Sequence, residues 1–305
     1  MQGSTIMPDA PRATAAMSDS LDPSIGIVVC IPCFRRPRHL RLTLQSLAAQ
    51  RTERRFAVVM VENDALACGS VAVATEFLQA GKLAGLCVVE PRQGNCHAIN
   101  AAFETALATF PAAAHFLMID DDEIASPDWL ELMVRAAQAT GAGVVGGPVA
   151  MIYGCGNCLI TRPVFERFGN PAFDPRFNFL GGGDVDFFTR CRREGMKFHW
   201  VAEAEIIETV PNNRTEPGWL AVRGLRIGAI NFHVERKAAR TLRSRARLLA
   251  KMLAKLPLSL FRAGRLLIAE HRVVIALHPM IVAIGGALAA IGIEPQPYKA
   301  SKIVS

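Results

Sequence analysis

Short apolar runs rich in β-branched residues alternate along the first two thirds of the chain with stretches whose apolar positions recur at helical spacing. Residues 26–32 (GIVVCIP) have the length and composition of a buried parallel strand, and residues 38–50 follow with Leu40, Leu44 and Leu47 on one helical face. The alternation continues with a strand at 56–61, a helix at 71–81, a strand at 86–90, a helix at 100–110 and a strand at 115–119. Ser126 before Pro127 predicts a helix start, with the serine as N-cap and the proline in the first turn. Further strands are expected at 143–152 and 198–201 and a helix at 186–194, with 153–183 rich in loop. This order implies an α/β fold, a doubly wound and mostly parallel sheet flanked by helices.

The pattern changes towards the C-terminus. Residues 240–267 interleave Leu248, Leu249, Met252, Leu253, Leu256 and Leu260 with Arg and Lys, interrupted by Pro257. Residues 273–293 are almost wholly apolar, broken at His278 and Pro279, a length that would just span a bilayer, insert as a hairpin or pack on the rest of the protein. Residues 1–24 lack a continuous apolar core and read as a disordered lead-in rather than a secretory signal. The expected organisation is therefore a lead-in at 1–24, an α/β domain at 25–234 and a helical membrane-associating segment at 235–305.

Charge sharpens that division. The chain carries a net +7, yet residues 236–272 hold eleven Lys or Arg against one acid, a net of +10, which leaves −3 for the rest. Basic amphipathic helices lie on anionic lipid, so an anionic membrane surface is an expected partner, with the protein peripheral or monotopic on the cytoplasmic face of the inner membrane. The interleaved residues are leucines rather than aromatic stacking platforms, which argues against nucleic acid. At 305 residues a sizeable core needs no disulfides, and 20% charged residues is too many for a multi-span membrane protein. Two Cys-x-x-Cys pairs, Cys30 with Cys33 and Cys155 with Cys158, raise zinc or redox chemistry, although Cys30 lies in an apolar run where cysteine serves as a small hydrophobe.

The strongest chemical signal is Asp120, Asp121 and Asp122, followed by Glu123, at the expected carboxyl end of a strand, where open sheets bind ligands. Adjacent carboxylates repel unless a cation or strong donors stabilise them, and hard oxygen ligands suit Mg²⁺ or Mn²⁺. A solvated acidic turn is the plainer reading of such a run. A second acidic motif, Gly181-Gly-Gly-Asp-Val-Asp-Phe187, is compatible with a capped helix start or with a catalytic carboxylate.

In this order the motifs resemble those of family 2 glycosyltransferases of the GT-A fold over residues 25–230, and the C-terminal part of that region is similar to the branch that includes succinoglycan-type exopolysaccharide enzymes. The resemblance implies that Pro32 and Arg35, in the loop after the first strand, border the nucleotide. It implies that Glu62 and Asn63 hold base and ribose, with Asn95 in the segment after the third strand. Asp120 and Asp121 would face the donor sugar or ribose, Asp122 would ligate the metal, and Asp184 would be the catalytic base. Glu208 matches a further metal ligand and Arg214 a diphosphate contact. Tyr153 to Arg162 resembles a Gly-x-Gly-Asn turn on the acceptor side. The implied function is inverting transfer from a nucleotide-sugar, a UDP-hexose, to a saccharide or lipid-linked saccharide acceptor. A nucleotidyltransferase using Arg35, Arg36 or Arg38, or an inactive membrane-associated scaffold, are the alternatives.

Overall fold

The computed structural model describes residues 11–150, 156–169, 171–209, 216–270 and 273–296. The chain forms two compact units, one of Met1–Pro175 with Arg190–Thr209, the other of Arg176–Thr189 with Val210–Ser305.

The first unit is built on an eight-stranded sheet. In chain order its strands are β1 (Ala13–Met17), β2 (Ile27–Cys33), β3 (Ala57–Glu62), β4 (Gly85–Val89), β5 (His115–Met118), β7 (Val144–Gly146), β9 (Cys158–Thr161) and β10 (Phe198–Trp200), arranged β1-β4-β3-β2-β5-β9-β7-β10. A small sheet pairs β6 (Glu123–Ala125), β11 (Ile206–Glu208) and β8 (Val149–Ala150). β4, β3, β2 and β5 run parallel, whereas β9 runs antiparallel to both β5 and β7. Every residue of β2 and β3 is buried, as continuous apolar strands covered on both faces require. Helices α1 (Pro37–Ala48), α2 (Gly69–Gln79), α3 (Asn95–Thr109) and α4 (Trp129–Thr140) follow the strands as the alternation predicts. The chain builds outward from β2 to β3 and β4, then returns to place β5 on the other side of β2. That reversal is a topological switch point, where the strand ends open a crevice.

Several expectations are corrected. Ala13–Met17, inside the segment read as disordered, forms an edge strand that pairs antiparallel with β4. Its alanines carry little strand signal, and the pairing rests on backbone, on the Ser18 hydroxyl, which donates to Gly85 O at 2.9 Å, and on Arg12, which meets Glu90 and Glu104 at 2.7 and 2.6 Å. The single strand expected at 143–152 divides at Gly147 and Pro148 into β7 and β8, in different sheets, because proline cannot donate to a ladder. The 153–183 stretch contains β9 and helix α5 (Arg162–Phe168). Ser126 is not the N-cap of α4: Asp128 holds that place, and the serine instead offers its carbonyl to the Trp129 amide at 3.0 Å. Cys30 and Cys33 are three apart on one strand and so point to opposite faces, which excludes a shared metal, and burial raises both thiols well above their ordinary value. Cys155 lies outside the described residues.

The second unit contains the start of α6 (Gly183–Arg193) and three long helices, α7 (Pro217–Ala238), α8 (Leu242–Glu270) and α9 (Val273–Ala290). The first of the long helices starts at Pro217, ahead of residue 235. α7 and α9 touch backbone to backbone: a Cβ on Gly228 would lie 2.1 Å from Val282 O, and one on Gly285 would lie 2.1 Å from Leu225 O. Small residues at such a seam permit this approach, and the apolar surface of α9 is used against α7 and α8. Among the described residues no helix is long and apolar enough to cross a membrane.

Candidate active site

Four loops leave the carboxyl ends of the parallel strands around the switch point, and polar side chains tie them together. After β2, Phe34 donates its amide to Asp121 at 2.8 Å, and Arg36 reaches Asp121 at 3.1 Å and Asp122 at 2.8 Å. The β2 and β5 loops are therefore joined across the crevice. Arg35, held at φ 58°, bonds Asp64 at 2.5 Å and lies over the Phe34 ring. Pro32 is buried within β2 beside Val61.

After β3, Glu62 is fully buried, with one oxygen accepting the Asp64 amide at 2.8 Å and the other the Ser70 amide at 2.7 Å in the first turn of α2. Asn63 donates to Glu90 O at 3.0 Å and Arg92 O at 2.9 Å and accepts from the Gly94 amide at 2.8 Å. Through these bonds both residues fix the backbone of the loops after β3 and β4. Asn95 is exposed at the first turn of α3. Five residues on, the buried Asn100 clamps Phe173 through both backbone groups, at 2.7 and 2.9 Å.

The chemistry concentrates after β5. Asp121, Asp122 and Glu123 are buried and Asp120 is partly exposed, while Glu208 stands opposite Glu123 in the β6–β11 ladder. Among the described residues, Arg36 is the guanidinium that meets Asp121 and Asp122, and it also feels Asp120. Burial and the charges of Asp122 and Asp121 push the Asp120 carboxyl up to about 7, only partly opposed by Arg36. Burial raises Asp121 to about 6 despite the Phe34 amide and Arg36, and burial with the neighbouring Asp120 raises Glu123 well above its usual range. The Arg36 guanidinium is disfavoured by burial, yet Asp122 and Asp121 outweigh that and raise it. Oxygen-only donors short of positive charge suit Mg²⁺ or Mn²⁺, which need one or two carboxylates and complete their shell with water and phosphate. Among the described residues no group of three or more His, Cys, Asp and Glu is arranged as a self-sufficient metal cage.

The Gly-x-Gly-Asn turn has a local reason. A Cβ on Gly156 would lie 1.9 Å from a Glu123 carboxylate oxygen, so only glycine lets the buried acid sit there. Asn157 accepts from the Trp129 indole at 2.8 Å and donates to Pro148 O and Ala204 O at 2.8 and 2.7 Å. These residues support the acidic loop from beneath; Tyr153 to Cys155 lie outside the described residues, as does Arg214.

Asp184 belongs to the second unit, in the first turn of α6. Burial raises its carboxyl, opposed by the Val185 amide, its own amide and the charge of Arg226. Next to it the buried Asp186 pairs with Lys237 at 2.8 Å, which identifies Asp186 as the structural acid of the pair. The structure places Asp120, Asp121, Asp122 and Glu123 in one loop, with Glu208 opposite Glu123, and adds the contacts of Arg36 with Asp121 and Asp122 and of Arg35 with Asp64, which the sequence did not reveal. Arg36 lies three residues beyond the end of β2, in the loop that meets the one after β5.

Comparison with known proteins follows the same residues. Residues 28–194 match the model of glycosyl transferase family 2. The chain is 31% identical over 249 residues to the succinoglycan biosynthesis protein ExoM of Rhizobium meliloti (strain 1021), covering 72% of this chain and 77% of that one. Among solved structures, it resembles the mannosyltransferase PcManGT from Pyrobaculum calidifontis, in complex with GDP-Man and Mn²⁺, with TM-score 0.62 and 19% identity over 90% of each chain. It also resembles TarS 1-349 of S. aureus in complex with UDP-GlcNAc, with TM-score 0.52 and 11% identity over 88% of this chain and 92% of that one.

Proposed function

The chain belongs to glycosyl transferase family 2, and we propose that it is an inverting enzyme moving a sugar from a nucleotide-sugar, a UDP-hexose, to a hydroxyl of a saccharide or lipid-linked saccharide acceptor in polysaccharide assembly. One observation carries this reading: the carboxylates Asp120, Asp121, Asp122, Glu123 and Glu208 gather at the switch point of the sheet, where Asp120, Asp121 and Glu123 are raised by burial and neighbouring charge. The ligands of PcManGT and TarS and the role of ExoM support the donor class and the product class.

Asp122 and Glu208 are the residues proposed to hold Mg²⁺ or Mn²⁺, which would neutralise charge on the departing nucleoside diphosphate. Asp120, which is partly exposed, faces the donor sugar or ribose in this reading. In this reading the loop with Arg35 and Arg36 borders the nucleotide, and Asn95, exposed in the first turn of α3, contacts the donor. Asp184 takes the acceptor proton: burial raises its proton affinity, and a base is most effective when its pKa approaches the working pH. As the acceptor oxygen bonds to the anomeric carbon, the bond from that carbon to the diphosphate oxygen breaks in line, and configuration inverts. A peripheral position on the anionic cytoplasmic face of the inner membrane is supported by α8, where Leu249, Leu258, Leu260 and Phe261 are exposed among Arg and Lys.

The test is transfer from a panel of nucleotide-sugars with Mn²⁺ or Mg²⁺, comparing the native protein with Asp122→Asn and Asp184→Asn. Turnover of one donor, dependent on metal and lost in both folded variants, is expected. Full transfer by Asp184→Asn would remove that residue from the mechanism, and metal-independent transfer would remove the role of Asp122.

A further inference from the structure

In the second unit, Phe177 and Asp186 bracket the segment that carries Asp184. Within it Gly181 and Gly182 take φ of 78° and 84°. Backbone bonds fold the segment on itself: the Gly181 amide donates to Phe177 O at 2.8 Å, and the Asp186 amide donates to Gly182 O at 3.0 Å. Two successive left-handed glycines turn the chain without steric cost, and they leave its conformation to be fixed by what lies beside it.

α7 lies beside it. Ile230 fills the space where a Cβ on Gly182 would be, and His233 meets the buried Phe177 ring edge-on, with centroids 6.3 Å apart. Lys237 reaches both ends of the segment. Its ammonium lies 5.7 Å from the centre of the Phe177 ring, and it donates to the two carboxylate oxygens of Asp186 at 2.9 and 2.8 Å. At about 100° per residue, Ile230, His233 and Lys237 fall on one stripe of the helix. The Asp186 side chain is only 2% exposed, so its charge depends on the partners it has inside the protein. Taking the cation from such a pair strands the carboxylate, which must then protonate or turn towards water. Either response pulls on the first turn of α6, where Asp184 lies two residues before Asp186.

We propose that Lys237 is a positioning residue of the transfer reaction, fixing Asp184 by clamping Phe177 and Asp186 at the two ends of its segment. The proposal rests on the reading of Asp184 as the base. Lys237 acts through Asp186 and Phe177, so its removal should displace the base and leave the proposed metal and nucleotide residues of the first unit as they are.

The full chain is compared with Lys237→Met, Asp186→Asn, the double variant and Lys237→Arg, with circular dichroism reporting which are folded. The first readout is the single-turnover rate of UDP release from saturating UDP-glucose with Mn²⁺, with octyl glucoside as acceptor. Folded Lys237→Met should be slower by about tenfold to a hundredfold. Its affinity for UDP with Mn²⁺ should change less than about twofold. The double variant should fall no further than Lys237→Met, because the second change removes a partner already lost. Lys237→Arg, which keeps a cation for Asp186, should stay within about threefold of native. The second readout is amide hydrogen exchange, which in Lys237→Met should quicken at least about tenfold over residues 181–186, with α7 and the main sheet unchanged.

A folded Lys237→Met that releases UDP at the native rate overturns the proposal, and so do losses that multiply in the double variant. If the native chain releases no UDP, the transferase reading with this donor fails, and exchange decides the clamp by itself: quickening confined to 181–186 supports it, and unchanged exchange overturns it.

Discussion

Two groups of acids occupy the same carboxyl edge of the main sheet and meet opposite electrostatic surroundings. At the ends of β3 and β4, Glu62 is satisfied by two backbone amides, and Glu90 is held by Arg92 and Arg12; burial alone would raise Glu90, but these bonds outweigh it and lower it to about 2. At the end of β5, Asp120, Asp121 and Glu123 are raised by burial and by one another's charges or those of Asp122 and Glu208, with Arg36 opposing this at Asp120 and Asp121. The first group has spent its charge on the fold. In the second, burial and mutual repulsion outweigh the donors that meet Asp120, Asp121 and Glu123, a pattern that clusters at functional sites.

The contrast is broken most severely by Asp122→Asn, which should lower transfer by roughly a thousandfold or more while the far-ultraviolet spectrum is retained, read in single-turnover assays with Mn²⁺. Asp120→Asn tests the same group through stability. Its folded value, about 7, lies above the ordinary 3.8, so its charge costs stability increasingly as pH rises between those values. Urea unfolding in EDTA at pH 8 should find the variant about 2 kcal/mol more stable than the native chain, with no gain near pH 3.5.

Glu90→Gln should do the reverse. Because the folded value of about 2 lies below the ordinary 4.5, its contribution is whole above pH 4.5 and disappears as pH falls towards 2. With partly exposed arginine partners, a loss of about 1–2 kcal/mol at pH 7 is expected, vanishing at low pH, with transfer altered less than about threefold. Smallest is Arg36→Ala, which removes the links to Asp121 and Asp122 and should cost about 1 kcal/mol of stability. If Glu90→Gln stabilised the protein or Asp120→Asn destabilised it, the division between the two groups would be wrong.

The sheet was legible because continuous apolar strands such as IVVCIP leave a signal that tertiary contacts only reinforce, and the Asp120 cluster was legible because nothing in a fold asks for three consecutive aspartates. The distinction between Glu62 and Asp120 was not legible. Both are acids at strand ends, and only the geometry reveals that one is met by two amides and the other by carboxylates. β1 was missed because its alanines carry no strand preference and its stability comes from the exposed edge of β4. The tight seam of α7 and α9 was equally hidden, since Gly228 and Gly285 act through backbone contact with residues more than fifty positions away.

The most direct measurement is the affinity of UDP for the full chain by calorimetry, with Mn²⁺ and with EDTA, in the native protein and in Asp122→Asn. Mn²⁺ should tighten UDP binding at least about tenfold in the native chain and leave the variant unchanged. Equal UDP affinity with and without Mn²⁺ in the native chain would contradict the assignment of the β5 carboxylates to a metal and a donor diphosphate.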